Sequence, residues 1–266
     1  MSAAGAAAWV TPLHRARAVA FYLLAAVWTV LLGIPYTALF LFPRRVMQNC
    51  GAFYSRGLLV LLRLTTGIRH EVRGLDRLPP PPYILAAKHQ SAWETLALPT
   101  ILRRPAIVLK RSLYRIPVFG WYLKASGQIG IDRNAGASAL RQMIADARRA
   151  AAEGRPIVIF PEGTRTAPGE ARAFHVGISA LYDKLRLPVV PVALNSGLYW
   201  PRESSAKHPG RIVIEFLPAL PADLARKALM VRLHEAINVA SDRLVAEALA
   251  ANPQLAPGTA EIDSED

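Results

Sequence analysis

From Val19 to Phe42 the chain runs 24 residues without a charged side chain, and this stretch restricts the possible folds more than any other feature. As an α-helix it would reach about 36 Å, at about 1.5 Å per residue, longer than the roughly 30 Å hydrocarbon core of a bilayer. A signal peptide fits poorly: the run is too long and ends in Leu41-Phe42-Pro43-Arg44-Arg45, not at a small-residue cleavage site. Arg15 and Arg17 flank one end and Arg44 and Arg45 the other, so positive charge does not orient the segment. Pro35 lies inside the run and predicts a kink.

The following stretch, Val46 to Gly67, is apolar too, but Asn49, Arg56 and Arg63 recur every seventh residue and share one helical face. Such a helix suits an interface where Arg reaches lipid phosphates. Residues 15–66 are therefore expected to form a membrane-embedded helical hairpin within an N-terminal segment, 1–67. A single span followed by a surface helix, or a buried helix of a soluble protein, would also accommodate the pattern.

Charge narrows the partners. Lys and Arg number 32 against 19 acidic residues, a net charge of +13. The first 70 residues hold seven Arg and no Asp or Glu. Such a chain favours an anionic partner: nucleic acid, an anionic membrane or phosphorylated ligands. A hydrophobic share of 52% excludes a disordered chain. Cys50 is the only cysteine, which excludes an internal disulfide and a Cys-rich zinc site.

Beyond residue 67 strands and helices alternate. Strand patterns cover 68–73, 83–87, 106–109, 128–131, 156–160, 189–194 and 211–217, and helix patterns cover 92–102, 140–151, 175–185 and 221–250. The expected fold class is α/β, a mixed β-sheet covered by helices over 68–251. Residues 252–266 contain four acids and two Pro and read as a disordered tail.

Two short segments carry candidate chemistry. In Lys88-His89-Gln90-Ser91-Ala92-Trp93-Glu94, a histidine follows a buried strand and a carboxylate comes five residues later. Imidazole titrates near neutrality and can take a proton from an alcohol, and a carboxylate can fix its tautomer. Ser91 to Glu94 is equally a helix capping box. Both roles can coexist, since a carboxylate has several lone pairs. In Phe160-Pro161-Glu162-Gly163-Thr164-Arg165, a glycine allows close backbone approach and an Arg can grip a phosphate by paired bonds. A tight turn with a solvated Arg and Glu is the plain structural alternative.

Together the segments resemble the glycerolipid acyltransferases, specifically the bacterial 1-acyl-sn-glycerol-3-phosphate acyltransferase type, over residues 70 to 200. Gly130-Ile131-Asp132-Arg133, Val190-Pro191-Val192-Ala193-Leu194-Asn195, and Lys110 ahead of Pro117-Val118-Phe119-Gly120 look like further family blocks. The chain departs from the family pattern at Glu94, where Asp is usual, at Lys88, where Asn is common, and at His175, where a basic residue often stands. The resemblance implies His89 and Glu94 as catalytic pair and Lys110, Arg133, Glu162, Gly163, Thr164 and Arg165 as substrate-binding residues. It implies acyl transfer from acyl-CoA or acyl carrier protein to the sn-2 hydroxyl of lysophosphatidic acid, giving phosphatidic acid. Neither a metal nor a cofactor is expected. The expected location is the bacterial inner membrane, with the catalytic domain on the cytoplasmic side and membrane lipids as partners.

Other classes fit less well. No His-Glu-x-x-His occurs, Gly177-Ile178-Ser179-Ala180-Leu181 lacks the second Gly of a nucleophile elbow, and no nucleic-acid motif is present, so nucleic acid is not an expected partner. Another lysolipid acceptor, such as lyso-ornithine lipid, or a non-catalytic anionic-lipid-binding protein are the alternatives. Residues 103–133 carry seven Lys or Arg and one acid, Asp132, and suit either an anionic lipid surface or an ordinary solvated face.

Overall fold

The computed structural model describes residues 11–132, 135–202 and 207–255. Arg133 and the tail from residue 256 onward lie outside the described residues. Helix α1 (Pro12–Thr37) opens with Thr11, whose hydroxyl accepts from the His14 N–H, and with Pro at its first position. It gives way to a 3-10 turn at Ala38–Leu41, just after Pro35. Helix α2 (Arg44–Thr66) runs back against α1. Trp28 donates its indole N–H to the Tyr54 carbonyl at 3.1 Å, and Tyr36 donates to the Cys50 carbonyl at 2.9 Å. The Trp28 ring occupies the space a Cβ on Gly57 would need, which lets the two helices approach closely.

The two helices differ in what they bury. Among the described residues α1 is the helix long and apolar enough to cross a membrane, and only its Ala18 and Phe21 are buried. In α2, Met47, Leu58, Leu59 and Leu62 pack inward, while Asn49, Arg56 and Arg63 are exposed as their spacing predicts. The two helices pack as a hairpin, but α2 rests one face on the protein, because its leucines complete the core above the sheet.

Strands β1 (Ile68–Arg73), β2 (Ile84–Ala87), β3 (Ala106–Lys110), β4 (Ile129–Ile131), β5 (Ile157–Ile159), β6 (Val189–Leu194) and β7 (Gly210–Phe216) form one seven-stranded sheet in the order β1-β7-β6-β2-β5-β3-β4. The block from β6 to β4 is parallel, β7 runs antiparallel to β6, and β1 is parallel to β7. Central strands such as Ile84–Ala87 are continuous apolar runs because both faces are covered. Leu85 and Ala87 join Val158, Val190 and Val192 beneath α2 and helix α3 (Trp93–Ile101). Ile84 and Ala86 join Ile157 and Val189 on the opposite face, against α5 (Gly136–Ala152), α6 (Val176–Leu185) and α8 (Arg226–Ala251). The short helices α4 (Phe119–Ala125) and α7 (Ser196–Tyr199) fall between the elements that the sequence pattern assigns.

Two further points differ from expectation. Helix α8 starts at Arg226 rather than near residue 221, because Leu220 is first held by paired backbone bonds to Val189. Residues 253–255 form a 3-10 turn that buries Leu255 in the core, so ordered chain continues past the expected start of the tail.

Arg155, 1% exposed, ties the parallel block together below the site. Its guanidinium donates to the carbonyls of Arg104, Pro105 and Gly127 at 2.9, 3.2 and 3.1 Å, and reaches Glu153, which pairs with Arg44 of α2. Arg155→Met would leave three carbonyls with lost partners. We expect it to lower unfolding free energy by about 1–3 kcal/mol, the cost of leaving buried acceptors unpaired. Urea denaturation measures this, and an unchanged midpoint would contradict it.

Candidate active site

Parallel strands bring their carboxyl ends to one edge of a sheet, and loops leaving that edge converge. Here β6, β2, β5 and β3 are consecutive neighbours. The loops after Ala87, Ile159, Leu194 and Lys110 therefore meet, although their residues are far apart in sequence. His89 stands two residues past β2. Glu162 to Arg165 follow β5, and Ser196 follows β6.

The Glu94 carboxylate, fully buried at the first turn of α3, lies behind His89. Its Oε1 accepts from His89 Nδ1 at 2.8 Å and from the backbone N–H groups of Gln90 and Ser91, both at 2.7 Å. Its Oε2 accepts from Ser196 Oγ at 2.9 Å. With four donors on its two oxygens the carboxylate acts purely as an acceptor. The imidazole hydrogen is thereby placed on Nδ1, and Nε2 keeps a free lone pair. The helix is capped at Ala92 rather than at Ser91 as the capping-box pattern predicts; Ser91 Oγ instead accepts from the Trp93 N–H at 3.0 Å, and Glu94 still reaches back to the Ser91 N–H while it orients the imidazole. The His89 ring is stacked on Phe160, with centroids 4.2 Å apart and planes 23° apart.

The backbone of His89 is fixed as firmly as its ring. Its N–H donates to Glu162 Oε2 at 3.0 Å, and its carbonyl accepts from the Thr166 N–H at 2.7 Å and hydroxyl at 3.1 Å. Glu162 Oε1 is paired with Lys88 Nζ at 2.6 Å, and both side chains are almost wholly buried. Lys88 also donates to the Glu170 carbonyl at 2.6 Å and to Asn238 Oδ1 of α8 at 2.9 Å.

A cavity of about 1390 Å³ lies between α1, α2 and this edge of the sheet. His89, Lys110, Gly163, Thr164 and Arg165 line it, together with Val30 and Ile34 of α1 and Tyr54 of α2. Gly163, at φ 68°, turns the chain so that its N–H donates to the Phe160 carbonyl, and residues 163–165 border the cavity. Arg202 donates to the Arg165 carbonyl at 3.0 Å. The arrangement places an imidazole, three cations (Arg104, Lys110 and Arg165) and a long apolar wall around one space. It can take a proton from a hydroxyl while holding an anion attached to an apolar chain.

Of the residues selected from sequence, His89 meets Glu94, and Lys110, Gly163, Thr164 and Arg165 share the His89 cavity. Glu162 does not line that cavity. It faces inward to Lys88 and the His89 N–H, because a buried carboxylate needs a cation, so its expected substrate contact is corrected to a supporting one. Arg133 lies outside the described residues. Lys88, Ser196 and Asn238 were not selected. Lys88 drew notice only as a departure from the family pattern, and Ser196 could have been found from its place just after a parallel strand. Among the described residues no group of three or more His, Cys, Asp or Glu converges to hold a metal.

The family described as Acyltransferase matches residues 69–195. The chain is 39% identical over 216 residues to a 1-acyl-sn-glycerol-3-phosphate acyltransferase of Pseudomonas aeruginosa, covering 78% of this chain and 81% of that protein. A Chlamydomonas reinhardtii protein of the same name is 28% identical over 82% of this chain and 69% of its own length. The crystal structure of a 1-acyl-sn-glycerophosphate (LPA) acyltransferase from Thermotoga maritima superposes with a TM-score of 0.71 at 20% identity, covering 86% of this chain and 95% of that one, a likeness of fold.

Removing one partner of a buried ion pair strands the other charge, at a cost of about 3–5 kcal/mol. Lys88→Met should therefore destabilise the fold by that order, and Lys88→Met combined with Glu162→Gln should recover most of the loss. Denaturant midpoints of the two variants decide the matter. Equal midpoints would show that the Glu162 charge is not what Lys88 compensates.

Proposed function

The chain belongs to the acyltransferase family, with the 1-acyl-sn-glycerol-3-phosphate acyltransferases as relatives, and on that premise we propose how its residues acylate this lysolipid to phosphatidic acid. The observation that carries the reading is the shared cavity: His89, backed by Glu94, borders the same space as Arg165 and Lys110.

His89 Nε2 takes the proton of the free sn-2 hydroxyl. The oxygen attacks the carbonyl carbon of an acyl thioester, the C–S bond breaks, and the imidazolium returns its proton to the departing sulfur. The donor is acyl-CoA or acyl carrier protein. A thiol of pKa about 8.5 leaves far more readily than an alcohol, so no covalent enzyme intermediate is needed. Glu94 holds the base in its tautomer and favours the imidazolium as it forms. Arg165 and Lys110 hold the acceptor phosphate, and Arg133 is assigned to the same task by its sequence block. Gly163 and Thr164 shape the wall beside the phosphate. The reaction balances without metal or cofactor. Holding both substrates in one cavity supplies the entropic part of the acceleration.

Membrane association follows from α1, whose apolar side chains are largely exposed. We place α1 in the bacterial inner membrane and the sheet on its cytoplasmic side, where thioester donors are available. A lysolipid then reaches the cavity without leaving lipid.

His89→Ala should cut turnover by about 10²- to 10⁴-fold, the usual contribution of a general base, with the circular dichroism spectrum unchanged. Thiol release from acyl-CoA with lysophosphatidate measures it, and near-normal rates would remove the base assignment. Arg165→Ala should raise KM for the phosphate-bearing acceptor by about tenfold or more, the value of one charge-assisted contact, and leave KM for the thioester nearly unchanged. An equal rise in both would argue against phosphate contact.

A further inference from the structure

The segment from Lys110 to Lys124 carries four cations, Lys110, Arg111, Arg115 and Lys124, and no acidic residue. All four are exposed. Between them Ile116, Phe119 and Trp121 are exposed as well, Trp121 by 53%. The backbone makes this an apolar tip. After the 3-10 turn Arg111–Arg115, Val118 sits at φ 60° and ψ −61°, and the Phe119 N–H donates to the Pro117 carbonyl at 2.6 Å. A β-branched residue adopts that tight three-residue turn only under strain. Exposed Ile116, Pro117 and Phe119 flank it.

The tip adjoins α1. Val118 lies beside Gly33, and the Tyr122 ring stacks on Tyr36 with centroids 6.1 Å apart. Tyr122 also donates its hydroxyl hydrogen to the Met47 carbonyl of α2. Ile116 and Phe119 line the catalytic cavity from one side, and Val30 and Ile34 of α1 from another. Ile34 is itself 72% exposed. The apolar surface of α1 is thus continued by a second apolar element, ringed by cations, at the same cavity.

We propose that residues 111–121 are a second membrane-docking element, a wedge seated in the headgroup zone of an anionic bilayer beside α1, so that the cavity opens toward lipid between the two. The inference rests on the reading of α1 as membrane-embedded. Tryptophan prefers that zone, and Arg and Lys there meet lipid phosphates. An acidic protein partner would use the cations but not the apolar tip, nor its continuity with α1. A lipid surface uses all three.

The test uses the full chain reconstituted in vesicles of phosphatidylcholine and phosphatidylglycerol whose acyl chains carry bromine. Of the five tryptophans, Trp121 is isolated by subtracting the emission of W121F from that of the parent chain. The difference signal should be more than halved by bromolipid, and markedly less affected in vesicles of phosphatidylcholine alone. An unquenched Trp121 beside quenched remaining tryptophans, Trp28 of α1 among them, would overturn the wedge and leave α1 embedded. No quenching of any tryptophan would remove the embedding of α1 and the wedge with it. Equal quenching in neutral vesicles would overturn the assignment to an anionic surface. As a functional arm, W121S should lower turnover of a vesicle-borne lysolipid several-fold and leave turnover of a short-chain acceptor in free solution unchanged. Equal loss on both would mark Trp121 as merely structural and overturn the proposal.

Discussion

The buried Glu162 carboxylate connects the loop after β2 with the loop after β5, and most of the site geometry depends on that connection. One oxygen takes the His89 N–H and the other takes Lys88 Nζ. Thr166, from the same loop, closes on the His89 carbonyl. His89 is therefore bracketed by the loop carrying Arg165. A carboxylate without water needs this density of donors, and burying it alone would be prohibitive. The outcome is a firm tie between His89 and the loop that carries Arg165, which under the proposed function sets the distance from the reacting hydroxyl to the phosphate.

Around that fixed pair the walls are of different origin. The sheet edge supplies the charged groups of the cavity, His89, Lys110 and Arg165, beside apolar residues such as Val108 and Phe160. The helices that precede the sheet supply a mixed wall that includes Val30, Ile34 and Tyr54, with α2 committed to the protein core and α1 largely uncovered. Lys207 binds α1 to the catalytic domain, with Nζ 3.9 Å from the Tyr22 ring centre and 4.5 Å from that of Trp200. Burial pushes its pKa down to about 8. The sheet domain is thus coupled to α1, the helix among the described residues long and apolar enough to cross a membrane.

Much of this was legible in the sequence, and the rest was hidden for identifiable reasons. The parallel strands announce themselves as apolar runs because both faces are covered, and β6 matches its expected bounds, Val189–Leu194. His89 with Glu94 and the turn at Gly163 could be read locally, since each is a short motif beside a strand. Glu162 could not be assigned in the same way. Position within a motif does not tell which side chain turns inward, and its partner Lys88 is remote in sequence. Ser196 and Asn238 reach the site through the topology, across 102 residues to Glu94 and 150 to Lys88; Ser196 is marked only by its place just after β6, and Asn238 by no local pattern. Helices α4 and α7 were missed because seven and four residues hold too little periodicity to set against Gly120, Gly197 and their neighbouring loops.

The stacking of His89 on Phe160 has a consequence for the path of the hydrogen. With one ring face on Phe160 and Nδ1 tied to Glu94, the imidazole is held in one orientation, and under the proposed mechanism Nε2 is the single nitrogen that both collects and delivers. On the proposed mechanism the particle lifted from oxygen is handed on from that same atom to the sulfur that leaves. The site would then shuttle between two bound molecules and stand idle until both are seated.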